Sequence, residues 1–210
     1  MNPGETIRSR LDQCPLVAII RGVTPDEVEE IGEALYEGGI RIVEVPLNSP
    51  DPFESIRRLA ARLGDRALVG AGTVLDPADV ARVRDAGGRI IVSPNTYAPV
   101  IEATAAAGMV ASPGFFTPSE AFEAIRAGAH ALKLFPAENA SPKTVKAQRA
   151  VIPKTVPLLV VGGVAPNAMR PWIQAGADGF GLGSGLYKPG QGAGETLMRA
   201  RAYVEGLKDE

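Results

Sequence analysis

Eight short apolar runs recur along this chain, and each is followed by a longer amphipathic stretch. The runs have the length of buried strands, and the stretches between them carry apolar residues at helical spacing. The runs occupy residues 16–20, 40–45, 67–71, 89–93, 109–112, 129–135, 157–161 and 178–182. Strands and helices that alternate in this way predict an α/β fold built on a parallel sheet.

The borders of the expected helices carry repeated signals. Several helices begin with a capping side chain followed by proline, as at Thr24-Pro25 and Thr117-Pro118. Proline suits the first helical position because its backbone N–H would have no partner there. Glu27 and Glu120 complete capping boxes with the two threonines. Most of the helices end in glycine just before the next run, so the unit repeats about every twenty residues.

Eight such units predict one compact (β/α)8 barrel, the TIM barrel, with an extra N-terminal helix that ends near Leu11. The alternative is an open doubly wound sheet. That fold seldom has eight even units, and it usually carries a glycine-rich turn after its first strand, where this chain has Arg21-Gly22-Val23. We therefore expect residues 1–210 to form a single barrel domain.

Composition limits the partners and the compartment. A net charge of -2 offers no electrostatic basis for binding nucleic acid or an anionic membrane, although a small anionic metabolite fits. No apolar run approaches the roughly 20 residues of a membrane-spanning helix. The single cysteine, Cys14, cannot form an intramolecular disulfide. We expect a cytoplasmic protein with a small-molecule partner, and neither nucleic acid nor membrane.

Lys133 lies in the middle of the sixth run, where an amine is costly unless it is paired, neutralised or used. Strand alternation places it on one face with Ala131, and places Glu44 of the second run on the face of Ile42. In a ring of eight, the second and sixth strands lie opposite one another, and active sites lie at the carboxyl ends of the strands. The sequence thus predicts a carboxylate facing an amine across the barrel mouth.

Two interpretations of this pair are open: a buried structural ion bridge, or catalysis. An amine in a partly apolar pocket has a lowered pKa and can attack a ketone to form an imine, while the carboxylate moves protons. The location at the barrel mouth favours catalysis. An isomerase or epimerase with Glu44 as its base, and a metabolite-binding barrel without catalysis, remain alternatives.

Two glycine clusters follow the last two strands. Gly162-Gly163 comes after the seventh and Gly183-Ser184 after the eighth. Loops at these two positions form the recurrent phosphate site of such barrels, where glycine lets backbone N–H groups approach the oxygens. We expect Gly162, Gly163, Gly183 and Ser184 to bind phosphate.

Other residues at the strand ends have two interpretations each. Arg21 is expected to clamp a carboxylate or to pair with Glu44. Thr73 either donates to that carboxylate or caps a turn, and Phe135 is either an apolar wall or part of the core. His130, the only histidine, faces the helices and is expected to be structural. One histidine cannot form the histidine clusters typical of metal-dependent enzymes, so we expect no metal site.

These residues together resemble the class I, Schiff-base 2-keto-3-deoxy-6-phosphogluconate (KDPG) aldolase family, over nearly the whole chain. The resemblance implies that Lys133 forms the imine and that Glu44 is the acid and base. It implies that Arg21 and Thr73 bind the pyruvate-derived end. The motifs that carry it are Ile19-Ile20-Arg21-Gly22, Glu44-Val45-Pro46-Leu47-Asn48-Ser49-Pro50, Gly70-Ala71-Gly72-Thr73-Val74-Leu75, Leu132-Lys133-Leu134-Phe135-Pro136, Val161-Gly162-Gly163-Val164 and Gly181-Leu182-Gly183-Ser184.

Two positions indicate a branch within that family. Gluconate-type members have arginine and threonine where this chain has Asn48 and Val161, and both differences match the galactonate-type members. The resemblance implies cleavage of a phosphorylated galactonate-derived keto acid to pyruvate and glyceraldehyde 3-phosphate, with Val161 beside the substrate. The gluconate substrate or 4-hydroxy-2-oxoglutarate is the alternative. The family resemblance also implies that the protein is a homotrimer and needs no cofactor.

Overall fold

The structure, a computed structural model, describes residues 2–208; Met1, Asp209 and Glu210 of the predicted domain lie outside that range. Its strands all run parallel, and helices follow them on the outside of the sheet. The strands are β1 Leu16–Ile19, β2 Ile42–Pro46, β3 Leu68–Gly72, β4 Ile90–Val92, β5 Val110–Ser112, β6 Gly114–Phe115, β7 Leu132–Leu134, β8 Leu158–Val161 and β9 Gly179–Leu182. The α-helices are α1 Pro3–Gln13, α2 Val28–Glu37, α3 Pro52–Leu63, α4 Pro77–Asp85, α5 Ala98–Ala106, α6 Pro118–Arg126, α7 Pro142–Arg149, α8 Arg170–Gln174 and α9 Ala193–Gly206.

The sheet curls into a nearly closed barrel, as predicted, and not into an open doubly wound sheet. Its order is β5-β4-β3-β2-β1-β9-β8-β7-β6. The strands β5 and β6 occupy one position in the ring and are separated by Pro113, which has no N–H to give to a ladder. The Pro113 carbonyl accepts from Lys133 N at 2.9 Å, so this position still bonds to β7. Nine segments between residues 2 and 208 therefore fill eight positions.

Two predicted elements begin three residues late. The sixth run forms a strand only over Leu132–Leu134, and the N–H of Ala129 bonds instead to Ala124 O in the last turn of α6, at 3.0 Å. Helix α2 begins at Val28 and not at Pro25, although Glu27 Oε1 accepts from Thr24 N at 3.0 Å as the predicted capping box requires. At α6 the complete capping box of Thr117 is confirmed.

Helix α1 closes the amino-terminal end of the barrel. Its Ile7 and Leu11 pack into the same interior cluster as Val17 of β1 and Leu68 of β3, and Ile7 is fully buried. Arg8 holds the helix in place through a 2.9 Å bond to the Thr155 carbonyl. The interior is therefore open towards the carboxyl ends of the strands, where the sequence places its polar residues. Within the described chain, no helix has the length and apolar character needed to cross a membrane.

Candidate active site

A cavity of about 540 Å³ opens at the carboxyl ends of the strands. It lies among the loops that follow β1, β3, β7, β8 and β9, because parallel strands bring all these ends to one face. Every predicted site residue except Glu44 lines it: Arg21, Thr73, Lys133, Phe135, Val161, Gly162, Gly163, Gly183 and Ser184.

Lys133 extends into this cavity from the middle of β7. Its backbone is fixed by β6 and β8, in register with Gly114 and Leu159, and its side chain is 7% exposed. Its Nζ lies 4.9 Å from the centroid of the Phe135 ring. Burial lowers the pKa of the amine, and the nearby Arg21 lowers it further, while Glu44 opposes the shift. A lowered pKa leaves more neutral amine, the form that attacks a carbonyl.

Glu44 lies inside the barrel beneath the cavity and is 1% exposed. Burial raises the pKa of its carboxyl to about 7, against the opposing charges of Lys133 and Arg21. Its Oε2 is buried without a hydrogen-bond partner among the described residues. No hydrogen bond therefore joins this oxygen to Lys133 in the part of the chain that the structure describes. A carboxyl with a pKa near neutrality can give and take protons at physiological pH.

Gly72, at the end of β3, makes room for this carboxyl. A Cβ at position 72 would lie 1.9 Å from Glu44 Oε2 and 2.3 Å from its carboxyl carbon. Strand pairing fixes both backbones, Glu44 in β2 and Gly72 in β3, and the burial of Glu44 leaves its carboxyl little room to turn away. The Glu44 carboxyl can therefore occupy this place only because residue 72 has no side chain.

We expect Gly72→Ala to cost about 1–3 kcal/mol of unfolding free energy, since overpacking a buried site forces neighbours out of position. Urea denaturation measures this cost. Gly194→Ala is the matched control, because Gly194 is exposed in α9 with no atom within 4 Å of its added Cβ. Equal stability of the two variants would contradict the placement of Glu44 over Gly72.

Arg21, after β1, makes its hydrogen bonds to two neighbours in adjacent loops. Its Nη1 donates to the side-chain oxygen of Asn48, and both Nη atoms lie 3.4 Å from Thr73 Oγ1. The Thr73 hydroxyl thus bonds to the guanidinium, and between residues 2 and 208 it makes no capping hydrogen bond to a turn. Thr73 has a φ of 57°, a conformation that is rare for a β-branched residue and often found at functional sites.

The two glycine clusters lie side by side because β8 and β9 pair, with Val161 in register with Gly181. Gly162 and Gly163 have φ of 129° and 64°, backbone conformations that residues with a Cβ rarely adopt. Gly183 has open space where a Cβ would lie. Gly183 can therefore approach a bound group with backbone alone, as phosphate binding requires, whereas the Glu138 carboxylate lies beside Gly162.

Sequence reasoning missed Glu138, Tyr187 and Lys188, which also line the cavity. The Glu138 carboxylate lies against the first cluster, 2.1 Å from where a Gly162 Cβ would be. The Tyr187 hydroxyl donates to Glu27 at 2.8 Å, and burial raises its pKa. All three lie outside strands and α-helices, so no periodic sequence pattern identifies them. The one sequence signal for a site residue is that Lys188 lies close to Ser184, which was itself predicted to bind phosphate.

His130 lies at the opposite end of the barrel, and its Nδ1 accepts from Ala111 N at 3.1 Å. It precedes β7 and does not line the cavity. Between residues 2 and 208 no group of three or more histidine, cysteine or acidic side chains is placed to hold a metal ion.

Known proteins match this chain closely. A family model described as "KDPG and KHG aldolase" matches residues 7–192. A Rhizobium meliloti protein named "Probable 2-dehydro-3-deoxy-6-phosphogalactonate aldolase" is 48% identical over 190 residues, 90% of each chain. The Escherichia coli 2-dehydro-3-deoxy-6-phosphogalactonate aldolase is 44% identical over 195 residues, 93% of this chain and 95% of its own. A solved structure described as "Native KDPGal structure" superposes with a TM-score of 0.91 at 43% identity, covering 93% of this chain and 95% of its own.

Proposed function

The chain belongs to the KDPG and KHG aldolase family, and within it we propose that the substrate is 2-dehydro-3-deoxy-6-phosphogalactonate, cleaved to pyruvate and D-glyceraldehyde 3-phosphate. The observation that carries the proposal is the buried Lys133 amine at the barrel mouth, with a lowered pKa and Glu44 nearby. The two relatives at 48% and 44% identity, both named for this substrate, support the choice within the family.

In the proposed reaction the Lys133 amine attacks the C2 ketone of the substrate, and loss of water leaves a protonated imine. Glu44, directly or through one water, removes the proton of the C4 hydroxyl. The C3–C4 bond then breaks, its electrons flow into the iminium, and glyceraldehyde 3-phosphate leaves. The enamine that remains takes a proton at C3, and water releases pyruvate and the free amine. A carboxyl with a pKa of about 7 suits both proton transfers.

The other cavity residues bind the two ends of the substrate. Arg21 and Thr73 receive the carboxylate next to the ketone, since a guanidinium is well shaped for that group. Phe135 forms an apolar wall beside the imine. Gly162, Gly163, Gly183 and Ser184 receive the phosphate, whose binding energy positions the reacting carbons from a distance. As part of the same proposal, the enzyme acts in cytoplasmic galactonate catabolism as a homotrimer that needs no cofactor; the names of the two relatives support the galactonate-derived substrate.

Val161 is proposed to contribute to the choice of epimer at C4. It is interior-facing, 6% exposed, and lines the cavity one residue before Gly162. Its side chain cannot hydrogen-bond a hydroxyl, and specificity between epimers follows from such gained or lost bonds. A hydroxyl directed at Val161 would be left unpaired, which disfavours the substrate that places it there.

The test compares kcat/KM for the galactonate-derived and gluconate-derived substrates, with pyruvate release followed by a coupled assay. We expect the galactonate-derived substrate to be preferred by about tenfold or more, the range that one hydrogen bond supplies. A tenfold preference for the gluconate-derived epimer would overturn the choice of substrate. Binding of either compound without pyruvate release would instead support the non-catalytic alternative.

A further inference from the structure

The turn after β2 contacts the loop after β1 at two consecutive positions. Asn48 accepts a hydrogen bond from the Arg21 guanidinium through its side-chain oxygen. The next residue, Ser49, accepts from the backbone N–H of Gly22 through Oγ at 2.9 Å. Ser49 is 7% exposed, so this second bond is shielded from water. One contact holds the side chain of Arg21, and the other holds the backbone beside it.

The loop after β9 restrains the same segment from another side. Gly22 has a φ of 83°, and a Cβ there would lie 2.6 Å from Pro189 Cγ. The backbone at Gly22 is therefore fixed between Ser49 and Pro189. The guanidinium of Arg21 is exposed and stands on a long flexible side chain, and Asn48 and Thr73 are the groups that orient it.

Asn48 and Thr73, the two acceptors, suit an arginine that has to bind a carboxylate. An amide oxygen and a hydroxyl accept hydrogen bonds without carrying charge, so they orient the guanidinium and leave its full positive charge available. A carboxylate at position 48 would pair with Arg21 and compete with any bound carboxylate.

We propose that Asn48 is a positioning residue, which orients the Arg21 guanidinium towards the substrate carboxylate without adding a negative charge beside it, and that Ser49 fixes the loop backbone behind it. This inference rests on the proposed function, because it takes the carboxylate beside the ketone as the ligand of Arg21. Orientation in advance lowers the entropy lost when the carboxylate binds.

The experiment traps the Lys133 imine with borohydride at increasing concentrations of pyruvate, and in parallel with pyruvamide, the neutral amide of the same keto acid. For Asn48→Asp we expect the half-saturating pyruvate concentration to rise about tenfold or more, because the new carboxylate pairs with Arg21. The pyruvamide value stays within about twofold of wild type, since no charge is involved in its binding. Asn48→Leu, which removes the acceptor without adding charge, gives a smaller rise of about threefold for pyruvate.

Asn95→Asp is the matched control, because Asn95 is also exposed just beyond the end of a strand, β4, and the side-chain hydrogen bonds of Arg21 within the described chain go to Asn48 and Thr73 instead. It should leave the pyruvate value unchanged. An unchanged Asn48→Asp value, an equal rise for Asn95→Asp, or an equal loss of pyruvamide trapping would each overturn the role of Asn48.

Two further measurements separate failure of this inference from unfolding of a variant and from failure of the proposed function. Melting temperatures show whether each variant is folded, and Asn48→Leu carries the test if Asn48→Asp is not. A wild-type protein that forms no adduct with pyruvate contradicts the proposed function itself. A normal wild-type adduct with unaltered Asn48 variants contradicts this inference alone.

Discussion

Lys133→Arg abolishes turnover: we expect kcat for aldol cleavage to fall by at least about 10⁴-fold, because a guanidinium retains the charge but cannot act as the attacking amine. Lys188 also lines the cavity, but it is exposed in the loop after β9, whereas Lys133 is buried in β7, so among the described lining residues Lys188 is not an equivalent nucleophile. The measurement is a coupled assay of pyruvate release, with mass spectrometry after borohydride treatment in the presence of pyruvate.

The control for this variant is Lys146→Arg, the same change on the exposed helix α7. It should keep both the adduct and the activity of wild type. The two variants also separate the competing chemistry. An isomerase or epimerase with Glu44 as its base would keep part of its activity in Lys133→Arg, because a cation remains to stabilise developing negative charge. Partial activity without an adduct would therefore refute the imine mechanism.

Glu44→Gln has the second largest expected effect. Loss of a general acid and base lowers kcat by about 10²–10⁴-fold. The imine itself needs the amine of Lys133, so borohydride should still fix pyruvate to the variant, at a reduced rate. Loss of cleavage with retained trapping assigns Glu44 to the proton transfers. Unchanged cleavage would show that another group moves the protons.

The same variant predicts a pH dependence of stability. Burial raises the pKa of Glu44 from 4.5 to about 7, so the folded protein binds this proton more tightly than the unfolded chain does. Protonation therefore stabilises the fold, fully so below pH 4.5, and this contribution is lost as the pH rises through about 7. Glutamine does not titrate, so the wild type should lose about 2–3 kcal/mol relative to Glu44→Gln between pH 5 and 8.

Urea denaturation of both proteins across that pH range measures the difference, and the comparison cancels the titration of most other groups. The substitution also changes the free energy of unfolding by an amount that does not depend on pH. The expected result is the change in the difference between the two proteins as the pH rises. A difference that stays constant from pH 5 to 8 would contradict the raised pKa. A difference of the opposite sign would indicate that Lys133 holds Glu44 in its ionised form.

Strand and helix order could be predicted because each depends on local spacing and capping. Alternation along β2 and β7 also placed Glu44 and Lys133 on the interior face. The interruption at Pro113 was not predicted, although the proline is visible in the sequence. The two-residue strand Gly114–Phe115 is too short to have a periodic pattern of its own. It is defined by its pairing with β7, which comes later in the chain.

Contacts between loops could not be predicted from the sequence either, because they also join segments that are distant in the chain. Asn48 was identified as a departure from the gluconate-type pattern, yet its bond to Arg21 joins two loops that are 27 residues apart. Glu138 and Lys188 likewise reach the cavity from irregular segments. Loop conformations carry no period, so the side chains that meet there depend on how whole strands are arranged around the ring.

The amino-acid sequence by itself determined the order of strands and helices and which strand side chains face the barrel interior, and its motifs indicated the family. These follow from periodicity and composition, which act over a few residues. Tertiary structure alone decided that Glu44 lies over Gly72, that α1 closes the far end of the barrel, and that Asn48 bonds to Arg21. Each of these joins segments distant in the chain, and barrel closure sets their separation in space.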